Sequence, residues 1–439
     1  MQRLLSLLLL IATYTPQTVL SESFANALYK NTRYTFESYT THFPRKYSET
    51  ILRYEKMDNW QEWIKFTGES SAEITPEIIC NVEYYAALSS AKHELHGMFN
   101  NFGKKTDRAR YVDITKLNIV FEKSNYDIMI GKDIIECKIA TLYSPMNRYN
   151  VLNFANPLHP IELGSWQARY SYYHNNDVIS FHIMPLNKKM MFPPSFSRWF
   201  GQFAIDYFIR DIASIVFNDH YYSRAPKNWN YLATYNGIRS EYDFQLAIHH
   251  GPSPYPVLQI NTSTLKIIKV NPLALSISGG IITTKGPWEA YGEAILQMTK
   301  HHMDEDFLKF VVGANYTDSN IAQKIGLEEL SARVEIARDI TTKKMGELYK
   351  TSWVTRLFRN GTLFLLTAKQ SHQWSYSFAG SFENNKQQKS HAYFARIEHI
   401  ANDSLSLHLD YKGFAGKITG LFGCWENNDN VEFAIIKSF

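Results

Sequence analysis

Alternation with a period of two runs through most of this chain, and it restricts the fold more than any other feature. From Ser404 the residues read Ser-Leu-Ser-Leu-His-Leu-Asp-Tyr-Lys. Leu405, Leu407, Leu409 and Tyr411 therefore fall on one face, and Ser404, Ser406, His408, Asp410 and Lys412 on the other. From Gln373 onward, Trp374, Tyr376, Phe378 and Phe382 oppose Gln373, Ser375, Ser377 and Ser381. Residues 241–249 set Tyr242, Phe244, Leu246 and Ile248 against Glu241, Asp243, Gln245, Ala247 and His249, and 288–297 divide in the same way. Similar splits occupy 78–88, 165–173, 178–184, 330–336 and 431–439. Successive side chains of a strand point to opposite faces, whereas a helix repeats about every 3.6 residues. The expected fold is all-β, made of strands with one apolar and one polar face.

Short groups of turn-forming residues, Asn175-Asn176-Asp177, Lys123-Ser124-Asn125, Arg359-Asn360-Gly361 and Ala401-Asn402-Asp403, join alternating runs as antiparallel hairpins. The connections 134–164 and 187–228 are much longer. Short turns at one end and long loops at the other are the pattern of a transmembrane barrel.

Alternation by itself is also compatible with a soluble β-sandwich, whose apolar faces meet inside instead of facing lipid. The N-terminus bears on that choice. Arg3, the apolar run at 4–12 and the small residues before Ser21 outline a signal peptide over 1–21, with cleavage after Ala27 as a second fit. The run is far shorter than the ~20 residues a membrane-spanning helix needs. Aromatic residues make up 15% of the chain, enough for two interfacial girdles. The chain also ends in Phe439, on a strand that carries Phe433 and Ile435 on the same face, with Lys437 interrupting it. Such an ending resembles the assembly signal of bacterial outer-membrane barrels. These features favour a single antiparallel up-and-down transmembrane barrel over 28–439, of about 14 to 18 strands, even in number. The soluble sandwich is the alternative.

Composition removes other classes. Lys and Arg total 46 against 42 Asp and Glu, a net charge of +4, too balanced for nucleic-acid binding by bulk electrostatics. Cys80, Cys137 and Cys424 are too few and too scattered for a disulfide framework or a metal site; their number allows one bridge and nothing requires it. Adjacent histidines such as His249 and His250 point to opposite faces of a strand and cannot chelate together. No nucleophile elbow, His-Glu-x-x-His or phosphate loop occurs, so no catalytic residue, metal or cofactor is assigned.

Several segments carry a family resemblance. Tyr126-Asp-Ile-Met-Ile-Gly-Lys-Asp-Ile-Ile, Leu142-Tyr-Ser-Pro-Met-Asn, Asn156-Pro-Leu-His-Pro and Trp166-Gln-Ala-Arg-Tyr-Ser-Tyr-Tyr resemble the strand-loop-strand core of bacterial outer-membrane porin-like barrels. That group includes phosphate-selective-type porins, polysaccharide-export barrels and relatives of unassigned function. Gly286-Pro-Trp-Glu-Ala-Tyr-Gly-Glu-Ala and Phe310-Val-Val-Gly-Ala-Asn-Tyr-Thr resemble later strands of the same group. The resemblance implies a bacterial outer membrane and a lumen.

In a barrel the polar faces line that lumen. The pore-lining set is then Arg169, His182, Asp243, Glu289, Glu293, Arg333, Glu335, Arg396, Glu398, His408 and Asp410. Opposed cationic and anionic ladders set a transverse field that orients polar solutes. Within 187–228, Phe196, Trp199, Phe200, Phe203, Tyr207, Phe208 and Ile212 recur at helical spacing, with Arg198, Asp206 and Arg210 among them. This stretch is expected to form a helix that either constricts the lumen or lies at the interface.

The expected function is passive passage of small polar solutes, or export of a polymer or lipid. A non-conducting partner of an envelope transport system and an outer-membrane lipid hydrolase, using a lumenal Ser with His408 and Asp410, are the alternatives. The expected partners are outer-membrane lipid, the barrel-assembly machinery and a small solute; a periplasmic protein and self-association into a homo-oligomer stay open, and no nucleic acid is expected.

Overall fold

The computed structural model describes residues 29–45, 59–90, 112–154, 156–186, 190–191, 193, 198–199, 218–219, 225–261, 266–346, 349–350, 356–384, 389–417 and 420–439. The signal-peptide segment, Asp206 and Arg210 lie outside them. So do most of the residues expected to form the constriction helix.

An 18-stranded sheet dominates. Its strands are Arg33–His42, Trp60–Thr75, Ile78–Ser89, Val112–Glu122, Tyr126–Asp133, Ser165–His174, Asp177–Met184, Asn230–Ile238 and Asp243–Pro252. They continue with Leu273–Lys285, Trp288–Thr299, Asp306–Asp318, Glu329–Lys343, Asn360–Lys369, Trp374–Glu383, Ser390–Asn402, Leu405–Gly416 and Asn430–Ser438. Each pairs antiparallel with the next along the chain. The first also pairs with the last, from Thr35 opposite Ser438 to His42 opposite Val431. This closes an up-and-down barrel at the upper end of the expected strand range. Closure leaves no strand edge with unpaired backbone groups, the condition a sheet must meet to cross hydrocarbon.

The faces are those of a membrane barrel, not of a soluble sandwich. Val312, Phe181, Ile340, Ile248, Leu409 and Phe433 point outward and are exposed, while lumen-facing Lys309 and Glu335 are fully buried. Trp288 packs on Tyr316 and Trp374 stacks on His399, outward pairs beside the short turns. Phe433 and Ile435 share the outward register, and Phe439 hydrogen-bonds back to the first strand, its N–H donating to Tyr34 O at 2.9 Å.

Short turns and both barrel ends of the chain share one rim. Its largest connection contains the helix Ser319–Lys324, capped where Asp318 Oδ1 accepts from Ile321 N at 2.7 Å. The long connections leave from the opposite rim, and 134–164 and 187–228 are both among them. One expected hairpin fails. Residues 359–361 do not join two strands at a turn, because Asn360 opens the strand Asn360–Lys369 after the long connection 344–359. Asn-Gly marked a loop's end there, since residue preference constrains local turn geometry and not which strands flank it. The three cysteines form no disulfide among the described residues.

Candidate channel lumen

The lumen is built on the polar register of the strands. All eleven residues assigned from sequence to the pore lining have this inward parity, and their neighbours decide what each can do. Facing register partners on adjacent strands, such as Arg396 with Asp410 and Gly280 with Glu293, show the parity running continuously around the wall.

Connection 134–164 does not extend away from the rim. It folds into the barrel. Gly131, two residues before the end of the strand Tyr126–Asp133, takes φ +147°, and an added Cβ there would collide with the Leu117 carbonyl. Asn150 fastens the start of the loop by accepting from Ile135 N at 2.8 Å and donating to Ile135 O at 2.6 Å. Glu293 then holds it to the wall. Its Oε2 accepts from the N–H groups of Ile139 and Ala140, both at 2.8 Å, and Oε1 accepts from Met146 at 3.2 Å. Glu335 repeats the arrangement two barrel strands further round. It accepts from Thr141 at 2.9 Å, Leu142 at 2.8 Å, Tyr143 at 2.9 Å and the Tyr291 hydroxyl at 2.7 Å. Apolar packing adds to these bonds: Ile139, Ala140, Leu142 and Tyr143 meet Tyr291, Val311, Ala337 and Leu363. Ile135, Cys137, Met146 and Tyr149 meet Met184, Leu232 and Ala247.

The same segment reaches other parts of the wall. Its small hairpin, Val151–Asn153 with Ile161–Leu163, packs on Trp63, Tyr85 and Ala87. His159 Nε2 lies 2.9 Å from Glu432 Oε2 near the barrel seam. The loop is thus a strap across the lumen, attached on several sides.

Glu293 and Glu335 therefore face inward without lining open space. They are 3% and 0% exposed, and their oxygens are occupied by loop amides. Elsewhere the inward charges pair with each other. Arg396 binds Asp410 through two bonds of 2.7 and 2.8 Å, Lys412 donates to Glu432 at 2.6 Å, and His408 lies 3.3 Å from Glu398. Asp410 thus belongs to Arg396 and not to His408, so the arrangement imagined for a hydrolase is not formed. Arg333 pairs with Glu289 at 3.5 Å, Arg169 with Asp127 at 3.2 Å, and His182 Nδ1 with Gln167 Oε1 at 2.8 Å. Asp243 is exposed near the short-turn mouth. Arg198 lies in a turn, its guanidinium over the Phe43 ring at 3.4 Å and its carbonyl accepting from Asn428 Nδ2 at 3.0 Å. Trp199 beside it packs on Phe43 and Trp425.

Between the strap and two neighbouring connections, which contribute Tyr255 and Leu357, lies a cavity of about 230 Å³. Lys138, Thr141, Tyr143, Ser144, Asn147, Arg148 and Tyr255 supply its polar lining, and no carboxylate contributes to it. Arg148 lies over the Tyr255 ring at 4.3 Å, and Tyr255 donates its hydroxyl to Asn147 O at 3.2 Å. Burial pushes the Tyr255 hydroxyl up to about 12 and raises that of Tyr143 as well, so both stay neutral donors at ordinary pH. Lys309 approaches the Tyr143 ring at 4.7 Å from the wall side. Arg356 and Arg359 stand next in sequence to Leu357 of the lining and its neighbour, but Asp339 and Glu305 pair with them. A small, hydroxyl-rich site with two cations and no acid is chemically suited to a small anion or a polar solute with an anionic group.

Sequence reading missed Lys138, Arg148 and Tyr255. Their signal was weak, because they sit on irregular backbone where no period relates one residue to the next. Among the described residues no cluster of His, Cys, Asp or Glu could hold a metal ion.

An up-and-down membrane barrel of 18 strands with an inward-folded loop is the class that fold and lumen define. No protein-family model and no curated protein sequence matches the chain. Solved structures do. Acinetobacter baumannii OccAB3 is similar over 93% of this chain and 99% of its own, at 8% identity and a TM-score of 0.53. Pseudomonas aeruginosa OccK8 (OprE) is similar over 93% and 97%, at 10% identity and a TM-score of 0.50. At such identities the likeness is one of fold.

Proposed function

We propose that this protein is an outer-membrane channel for passive passage of small polar solutes, with a preference for anionic ones. The observation that carries the reading is the strap 134–164, fixed across the lumen by Glu293 and Glu335 and leaving a small cationic cavity beside it. A barrel of 18 strands is wide enough to enclose water. The strap reduces that bore to a passage matched to small solutes and argues against export of a polymer or of a whole lipid. Fold likeness to two outer-membrane porins supports the same reading. The outward apolar face suits the bacterial outer membrane.

The test is single-channel recording of the folded mature protein in a planar bilayer, first in symmetric salt and then across a salt gradient. Discrete steps with a reversal potential on the anion side are expected. A folded, inserted protein without steps would overturn the channel reading. Steps with cation preference would overturn only the assignment to anions.

A further inference from the structure

Outside the lumen, the described surface carries a compact basic patch on the long-loop rim. Lys300, His301 and His302 form the turn that follows the strand Trp288–Thr299, and Lys343 and Lys344 close and follow the strand Glu329–Lys343. The two connections are fastened together where Gly346 N donates to His302 O at 2.9 Å. All five side chains are exposed, and among the described residues none has an ion-pair partner. Three carboxylates lie nearby, Asp306 opposite Lys343 in the register, and none forms an ion pair with the patch among the described residues. Glu305 pairs with Arg356 and Arg359, Asp304 is buried, and Asp306 accepts from Thr299 N at 2.6 Å. Arg338 adds a cation on the outward register between Ile336 and Ile340.

Apolar side chains lie directly below. Ile340, Met298, Val312 and Ile336 are exposed on the outward face of those two strands and of Asp306–Asp318 between them. Cations above an apolar strip match a ligand with an anionic head and acyl chains, because each part meets its complementary surface without leaving the sheet. The turn itself is strained in the same place: His301 at φ 60° and His302 at φ 52° both occupy the left-handed region that glycine would enter freely.

We propose that this patch binds the phosphate-bearing headgroup of an outer-leaflet glycolipid, whose acyl chains lie on the strip formed by Met298, Val312, Ile336 and Ile340. Lysine ammonium groups bind phosphate as mobile point charges, and clustering them raises affinity and salt sensitivity together. The proposal rests on the outer-membrane reading of the barrel but not on conduction through it.

Native mass spectrometry of the full, detergent-folded chain tests it, with bisphosphorylated lipid A and the same lipid stripped of phosphate as probes. The phosphorylated form should bind at least about tenfold more tightly, and the combined substitutions K300Q, K343Q and K344Q should bring the two to parity. Single-channel conductance of that variant should match the parent, since none of the three lines the lumen. K344Q alone, in a connection and outside any strand, should lower the preference about fivefold and guards against misfolding of the triple variant. Equal binding of the two lipids by the parent, or an unchanged preference in the variants, would overturn the proposal. A silent channel that retains the lipid preference would remove the conduction reading and leave this one standing.

Discussion

Two parts of the inner wall carry the same residue types and use them differently. On the strands Trp288–Thr299 and Glu329–Lys343, the inward carboxylates Glu293 and Glu335 accept loop amides and disappear from the lumen. On Ser390–Asn402, Leu405–Gly416 and Asn430–Ser438, the inward carboxylates Glu398, Asp410 and Glu432 pair with His408, Arg396 and Lys412. The first wall is a mounting for the strap. The second is mainly a balanced ladder, although its Glu432 also takes the strap's His159 at 2.9 Å, and Arg396 and Glu398 are each about one-third exposed on it. An inward charge is therefore no measure of what a solute meets. A carboxylate that fills its acceptor sites with backbone N–H groups sets shape, and one that shares them with a cation at the water boundary sets the local field.

That difference can be broken most strongly at the strap. Replacing 139–147 by a short Gly-Ser linker should raise single-channel conductance several-fold, and unchanged conductance would remove the constriction from this loop. Glu335→Ala comes next. It strips acceptors from three backbone amides and the Tyr291 hydroxyl, at a local cost on the order of 3 kcal/mol. Faster hydrogen exchange at 141–143 in an otherwise folded barrel is the expected readout, and protection equal to the parent would show that packing alone holds the strap. Lys138→Glu should leave the fold and the conductance close to the parent while moving the reversal potential toward cations. An unmoved potential would place the selectivity elsewhere in the bore. The smallest effect is expected on the balanced wall. Glu398→Gln removes one partly exposed partner of His408 and should change thermal stability by less than about 1 kcal/mol. A loss several times larger would mean that this ladder, too, is structural.

Much of the fold was legible in the sequence for a simple reason. Alternation along 241–249, 288–297, 373–382 and 404–412 reports the environment on each side of a strand, and a one-residue slip would turn every side chain to the wrong face. Inward parity of Arg169, Asp243 and Arg396 followed directly. The strand count met the upper limit of its range, with strands as short as Tyr126–Asp133 and Asp177–Met184 among the eighteen. The loops were a different matter. Helical spacing around Arg198 drew attention to 187–228, most of which lies outside the described residues, while no comparable signal marked 134–164, the loop seen to enter the barrel, which has no period at all. Arg198 itself is spent on Phe43 at the rim.

The sequence by itself thus determined the local and repeating part of this protein: strands, their two faces, the turns between most of them, and a barrel as the arrangement that satisfies both faces in a membrane. Only the tertiary structure decided which inward groups hold the strap and which face water. Ile139 and Glu293 are 154 positions apart, and Thr141 and Glu335 are 194 apart. Hydrogen bonds act over about 3 Å, so pairings across such separations exist only once the barrel has closed and brought the loop against its wall.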